Sequence, residues 1–191
     1  VKELVSLYEK AKSHHIPILT KRNHLFIVFE GLDGSGKTTM ASMTSKELKG
    51  VQVATPPKSI QHLRAHFDQC EPKLRRAYYS IGNYIAAMEI EVLLNEKHVI
   101  MDRFWNSTAS YALAESAAEI PAQEHERLRR TARRIATIEE DKLKSNHEFR
   151  ERLYKAYSKM EGLTNVESNA PPKPAFKSLM ETTLKPLLEK L

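Results

Sequence analysis

The chain has 191 residues, 41% hydrophobic and 28% charged, a balance that suits one globular domain with a substantial core. No apolar run approaches the roughly 18 residues of a membrane span, and a single cysteine, Cys70, excludes an internal disulfide. The net charge of +6 favours polyanionic partners, and nucleotide phosphates alone account for it.

Leu4, Val5, Tyr8 and Ala11 recur at helical spacing and predict a helix over Val1–Lys12, followed by a connector, Ser13–Asn23, that contains Pro17. Leu25–Phe29, LFIVF, is an unbroken apolar run that suits an interior parallel strand covered on both faces. A glycine-rich loop comes next, then a helix from about Thr38 to Lys49 that Gly50 is expected to close. Val51–Thr55 reads as a second strand, ended by Pro56 and Pro57. Lys58–Phe67 predicts a short helix. Pro72 then opens a long one to about Lys97, with Leu74, Tyr78, Ile81, Ile85, Met88 and Val92 as its apolar stripe. Val99–Met101 predicts a third strand that ends in Asp102 and Arg103, and Ser107–Ala118 predicts a helix. Pro121–Met160 is charged and mostly helical in pattern; Gly162–Pro174 is turn-rich, its PPKP a structureless connector; Phe176–Leu191 is a closing amphipathic helix. Strands alternating with helices predict an α/β domain with a parallel sheet over residues 25–191, preceded by a helix and connector over 1–24. The chain opens on Val1, which predicts that the natural N-terminus, with any targeting peptide, lies upstream.

FEGLDGSGKTT, Phe29 to Thr39, satisfies G-x-x-x-x-G-K-[ST] in full, between a buried-type strand and a helix. Glycines let backbone N–H groups turn inward around phosphate oxygens, and the helix N-terminus adds a favourable dipole. Gly31, Gly34, Ser35, Gly36, Lys37, Thr38 and Thr39 are therefore the candidate ATP-binding residues. Lys37 is expected to neutralise the β- and γ-phosphates, and Thr38 to place its hydroxyl on Mg²⁺. An acid at the C-terminal end of an apolar strand faces the ligand crevice of an open α/β sheet, so Asp102 is the second candidate Mg²⁺ ligand and Arg103 a phosphate bridge.

Arg75, Tyr79 and Asn83 are spaced i, i+4, i+8 and share one helix face, distinct from the apolar stripe. A guanidinium, a ring and an amide in file suit a nucleotide: phosphate on Arg75, base stacked on Tyr79, base edge on Asn83. An ordinary boundary face with one buried tyrosine explains the pattern equally well. Arg76 is a second phosphate candidate, and Gly82 beside the stripe leaves room for a ligand. Arg129, Arg130, Arg133 and Arg134 fall within about 140° of one helix face. Like charges so close repel, and a transferring phosphate would relieve them, so residues 126–145 read as an arginine lid ahead of a solvated basic helix or a nucleic-acid patch.

FEGLDGSGKTT, the TPP after the second strand, RRAYYSIGNYIAAMEI and VIMDRFWNSTASYA follow one another over residues 25 to 118. Together they resemble the thymidylate kinase family, and most nearly its mitochondrial UMP/CMP kinase branch. The resemblance implies the P-loop nucleoside triphosphate hydrolase fold and phosphoryl transfer from ATP to a pyrimidine nucleoside monophosphate. It also implies a mitochondrial location, with the cytoplasm as the alternative. By position, Asp33 would sit near the acceptor sugar, Tyr79 stack on the pyrimidine, Arg103 hold the acceptor phosphate and Tyr111 wall the ribose. Thymidylate kinases usually carry Arg where this chain has Asn83, and an Arg after the position of Thr55-Pro56-Pro57, where Lys58 is a partial replacement. Both departures point to CMP, UMP or their deoxy forms ahead of dTMP. The family's apolar strand between the helix near Ala118 and the arginine lid has no counterpart in AESAAEIPAQEHERLRR. A catalytically inactive nucleotide-binding protein is therefore the second reading, and a deoxynucleoside kinase the third. Small-molecule nucleotides are the expected partners, with neither nucleic acid nor membrane, and homodimer formation stays open.

Overall fold

The computed structural model describes residues 1–13, 23–116, 147–166 and 170–190. Its sheet has three strands among these residues: β1 (Phe26–Phe29), β2 (Val51–Ala54) and β3 (Val99–Asp102), all parallel, in the order β1-β3-β2. Val99 stands opposite both Phe26 and Val51, so the central strand closes the ladder on either side. Val99, Ile100 and Met101 are wholly enclosed, as an apolar strand covered on both faces must be.

The covering helices follow from the apolar stripes. Pro72 opens α4 (Pro72–Leu93) at its first turn, where a missing N–H costs nothing. The C-terminal half of α4, through Ala86 and Ile90, packs with Leu94 on Val99 and Met101 of one sheet face. Tyr78 and Ile85 of the same helix join a second cluster with Leu4 of α1 (Lys2–Lys12), Ile60, and Phe67 of α3 (Arg64–Asp68). The other sheet face receives α2 (Lys37–Glu47) and the C-terminal segment, whose Leu179, Met180 and Leu184 meet Ile27, Phe29 and Leu48. The remaining helices are α5 (Trp105–Ser116) and α6 (His147–Ser158), which pack on each other.

Four local expectations are corrected. The PPKP stretch is not a structureless connector: Pro172 opens α7 (Pro172–Leu179), since proline already holds the φ of a first helical turn. The closing helix is not continuous either. A π-helical turn, Met180–Leu184, separates α7 from α8 (Lys185–Leu188), and Pro186, with no N–H to offer the ladder, lies just beyond it. Lys49, with φ 50°, takes the left-handed position after α2, while the Gly50 N–H bonds back to the Ser45 carbonyl at 2.9 Å. Gly82 makes room for Ile60, Pro57 and Pro56, not for a ligand; a Cβ there would lie 3.2 Å from Ile60.

Gly50 is required for space. A Cβ on it would lie 2.6 Å from Ile100 Cδ1 and 2.7 Å from the His98 carbonyl oxygen. Gly50→Ala is expected to destabilise the domain by about 1–3 kcal/mol, because backbone cannot yield as a side chain does. Urea unfolding measures it, and an unchanged midpoint would contradict the packing described here.

Candidate functional site

β1 delivers the chain into the loop Glu30–Gly36. The loop is anchored from below by Leu32, buried with Ala114 of α5 and Leu153 of α6. Gly36 caps α2 at φ 88°, and a Cβ there would meet nothing within 4 Å, so the backbone conformation rather than space demands glycine. Lys37 is buried, and its Nζ donates to the Leu32 carbonyl at 2.6 Å, which folds the ammonium back over the loop. Thr38 Oγ1 donates to Asp102 Oδ2 at 2.5 Å. The parallel register brings these two together, because it sets Asp102 beside Phe29, the last residue of β1 before the loop. Asp102 Oδ1 is buried and has no hydrogen-bond partner among the described residues.

Arg103 leaves β3 with φ 70°, a left-handed conformation rare for a side-chain-bearing residue and costing about 1–3 kcal/mol. Its N–H reaches the Phe29 carbonyl at 3.0 Å. Its guanidinium bonds Asp33 through Nη2, and Ser107 Oγ at 3.1 Å and Tyr157 Oη at 3.3 Å through Nη1. Tyr111 donates to the second Asp33 oxygen at 3.1 Å. Burial alone would raise the Asp33 pKa. The charges of Arg103 and Lys37, with the Tyr111 and Arg103 hydrogen bonds, outweigh it and hold the carboxyl below its ordinary value. Burial pushes the Tyr157 phenol up to about 12, so it stays a neutral hydroxyl beside Arg103.

The site rests on a carboxylate that sequence reasoning missed. Glu30 accepts the Phe104 N–H at 2.8 Å, the Ser107 N–H at 3.2 Å and the Ser107 hydroxyl, satisfying the opening of α5 while tying it to the end of β1. The signal was present: Glu30 ends an apolar strand as Asp102 does. Tyr157 is legible only from the fold, since it arrives from a helix 54 residues beyond Arg103.

One cavity of about 630 Å³ joins these groups to the α4–α5 wall. Lys37, Thr38, Asp102 and Arg103 lie along it together with Arg75, Arg76, Tyr79 and Tyr111. Arg64 and Glu115, which were not anticipated, line it too. The two helices run antiparallel, as their cross-links show: Asn83 bonds Thr108, and Arg75 bonds Glu115. Each arginine at this end is held by a carboxylate. Arg75 and Arg76 pair with Glu115, and Arg64 with Asp68, which also receives the Tyr79 hydroxyl at 2.8 Å.

Asn83 corrects the expectation of a base-reading amide. It is wholly enclosed and off the cavity wall, and its Nδ2 donates to Thr108 Oγ1 at 2.9 Å. Spacing placed it on the right helix face, but the start of α5 covers that face at this turn. Lys58 is exposed and stands outside the cavity wall. Arg129, Arg130, Arg133 and Arg134 lie outside the described residues.

The Asp33 arrangement predicts acid behaviour. A carboxyl with a depressed folded pKa contributes stability that is full above its unfolded value of about 3.9 and is lost as pH falls through the folded value. Urea unfolding between about pH 2 and 6 is expected to show a steeper acid loss for the wild-type chain than for Asp33→Asn. Identical slopes would remove Asp33 as the responsible group.

The thymidylate kinase family model matches residues 29–122. Human mitochondrial UMP-CMP kinase 2 is 45% identical over 64 residues, which cover 34% of this chain and 14% of that protein. The probable thymidylate kinase of Methanococcus vannielii is 32% identical over 91 residues, 45% of this chain and 46% of that protein. A solved thymidylate kinase from Candida albicans aligns over 87% of this chain and 82% of its own at 21% identity, with a TM-score of 0.46. The chain spans less than half the length of the two sequence relatives.

Proposed function

We propose, from the premise that residues 29–122 are a thymidylate kinase-family segment, that the chain transfers the γ-phosphate of ATP to a pyrimidine nucleoside monophosphate. CMP, UMP or their deoxy forms are the proposed acceptors ahead of dTMP, which the 45% identity to a UMP-CMP kinase supports. One observation carries the reading: a single cavity is lined at one end by Lys37 and Thr38 of the phosphate loop and at the other by Tyr79 and the α4 arginines, with Arg103 also on its wall. Donor and acceptor thus share one enclosure, as in-line transfer requires.

In this mechanism Lys37 neutralises the donor phosphates, and the cradle Gly31, Gly34, Ser35, Gly36, Thr38 and Thr39 surrounds them. Tyr79 stacks on the base, Asp33 and Tyr111 flank the sugar, and Arg103 exchanges Asp33 for the acceptor phosphate. The proposed lid brings Arg129, Arg130, Arg133 and Arg134 to the transferring group. Arg103, Arg75 and Arg64 already stand at the cavity, held by Asp33, Glu115 and Asp68, so only the lid arginines have to be brought in; a preorganised charge needs little reorganisation at the moment of reaction. Thr38 and Asp102 would hold Mg²⁺, and the fit is good: the two are hydrogen-bonded, and Asp102 Oδ1 has an acceptor lone pair with no donor among the described residues. Bound there, the ion would supply positive charge to offset that of the donor phosphates. The relative's mitochondrial location is the proposed one for this chain.

A coupled assay with ATP, Mg²⁺ and each pyrimidine monophosphate tests the proposal; folded protein that forms no ADP with any acceptor rejects it. A second reading, nucleotide binding without turnover, is favoured by one observation. Among the described residues β1 has a strand partner on one edge only, and helical side chains cover its face. Thermal stabilisation by ATP with no turnover would select it.

A further inference from the structure

We propose that the Arg75–Glu115 pair reads the base edge of the acceptor, the guanidinium donating to a ring acceptor and the carboxylate accepting from the adjacent donor. The inference rests on the kinase reading only in placing a pyrimidine in this cavity. The enclosed Asn83 leaves base reading without its expected residue. Arg75 and Glu115 are the polar pair about two helical turns further along the same two helices, and both line the cavity. Their side chains are 10% and 19% exposed. Arg75 stands four residues before Tyr79, about 6 Å along the helix, so a base lying on that ring turns its edge toward the pair.

Glu115 has capacity to spare. Oε1 is occupied by Arg75, whereas Oε2 is buried with no hydrogen-bond partner among the described residues, its nearest ion-pair contact being Arg76 Nε at 3.8 Å. A buried carboxylate oxygen without a donor is costly, and a ligand N–H satisfies it. Pyrimidines offer that group beside an acceptor. Cytosine presents its 4-amino donor next to the N3 acceptor; uracil presents its N3–H donor next to the O2 acceptor. One acceptor–donor pair therefore fits both bases by a shift of one position, with the order fixed by the salt bridge.

The test is titration of the full chain with CMP, UMP, their N4,N4-dimethyl and 3-methyl analogues, and ribose 5-phosphate as the base-free control. Each methylated analogue is expected to bind the wild-type protein about tenfold or more weakly than its parent, the worth of one hydrogen bond. Glu115→Gln is expected to weaken the parents and narrow that gap, while ribose 5-phosphate is unaffected. Analogues that bind as tightly as their parents overturn the proposal, as does a Glu115→Gln loss that is equal for ribose 5-phosphate and CMP. If Glu115→Gln fails to fold, the wild-type analogue titration decides alone. Discrimination in binding without turnover would sink the kinase reading and keep this one; turnover without discrimination would do the reverse.

Discussion

Lys37→Ala is expected to lower kcat for phosphoryl transfer about a hundred- to a thousandfold, the range for losing one preorganised charge aimed at the reacting group. The effect is large because Lys37 is buried and its ammonium is already positioned, tied to Leu32 of its own loop. The substitution removes the cation from the cavity and leaves the Leu32 carbonyl without that donor. It also deprives Asp33 of one of the two charges that hold its carboxyl low. Stability should change little, since the loop is anchored independently by Leu32 beneath it. The coupled assay and a thermal melt check both halves. A loss of less than about threefold in kcat would take Lys37 out of the mechanism.

Arg103 is the second. Arg103→Ala and Arg103→Gly are both expected to lose about a hundred- to a thousandfold in kcat/KM for the acceptor, because the guanidinium that bonds Asp33, Ser107 and Tyr157 disappears in each. Their stabilities should differ. Alanine must still adopt the left-handed φ of 70°, whereas glycine takes it without strain, so Arg103→Gly is expected to be the more stable by about 1 kcal/mol. Both variants leave Asp33 buried with only Lys37 as its opposing charge, so its folded pKa rises toward the unfolded value and its share of the acid loss of stability should be smaller than in the wild-type chain. Equal activity of either variant and wild type would refute the acceptor role. Equal melting of the two variants would refute the strain.

The parts legible in the chain were those set by neighbours in sequence. The phosphate loop could be read because its glycines, Lys37 and Thr38 act through local backbone geometry, and the structure places them at the mouth of α2. The three strands were legible as short apolar runs, and α4 from Pro72 and its stripe, because burial on a sheet imposes period and composition on consecutive residues. Asp102 was legible because strand ends in a parallel sheet share one edge.

Pairings across distance belong to the tertiary structure. Glu115 meets Arg75 across 40 residues, and nothing near either one announces the other. Helical spacing gave Asn83 its azimuth, but only the antiparallel packing of α5 on α4 decides that this turn is covered while the turns of Tyr79 and Arg75 face the cavity. Glu30 could be seen as an acid at a strand end, yet its role depends on where α5 begins. The physical reason is the same in each case. Periodicity reports which side of an element is apolar, whereas the partner of a buried charge is set by how whole elements dock, and docking is decided by the summed packing of many side chains far apart in the chain.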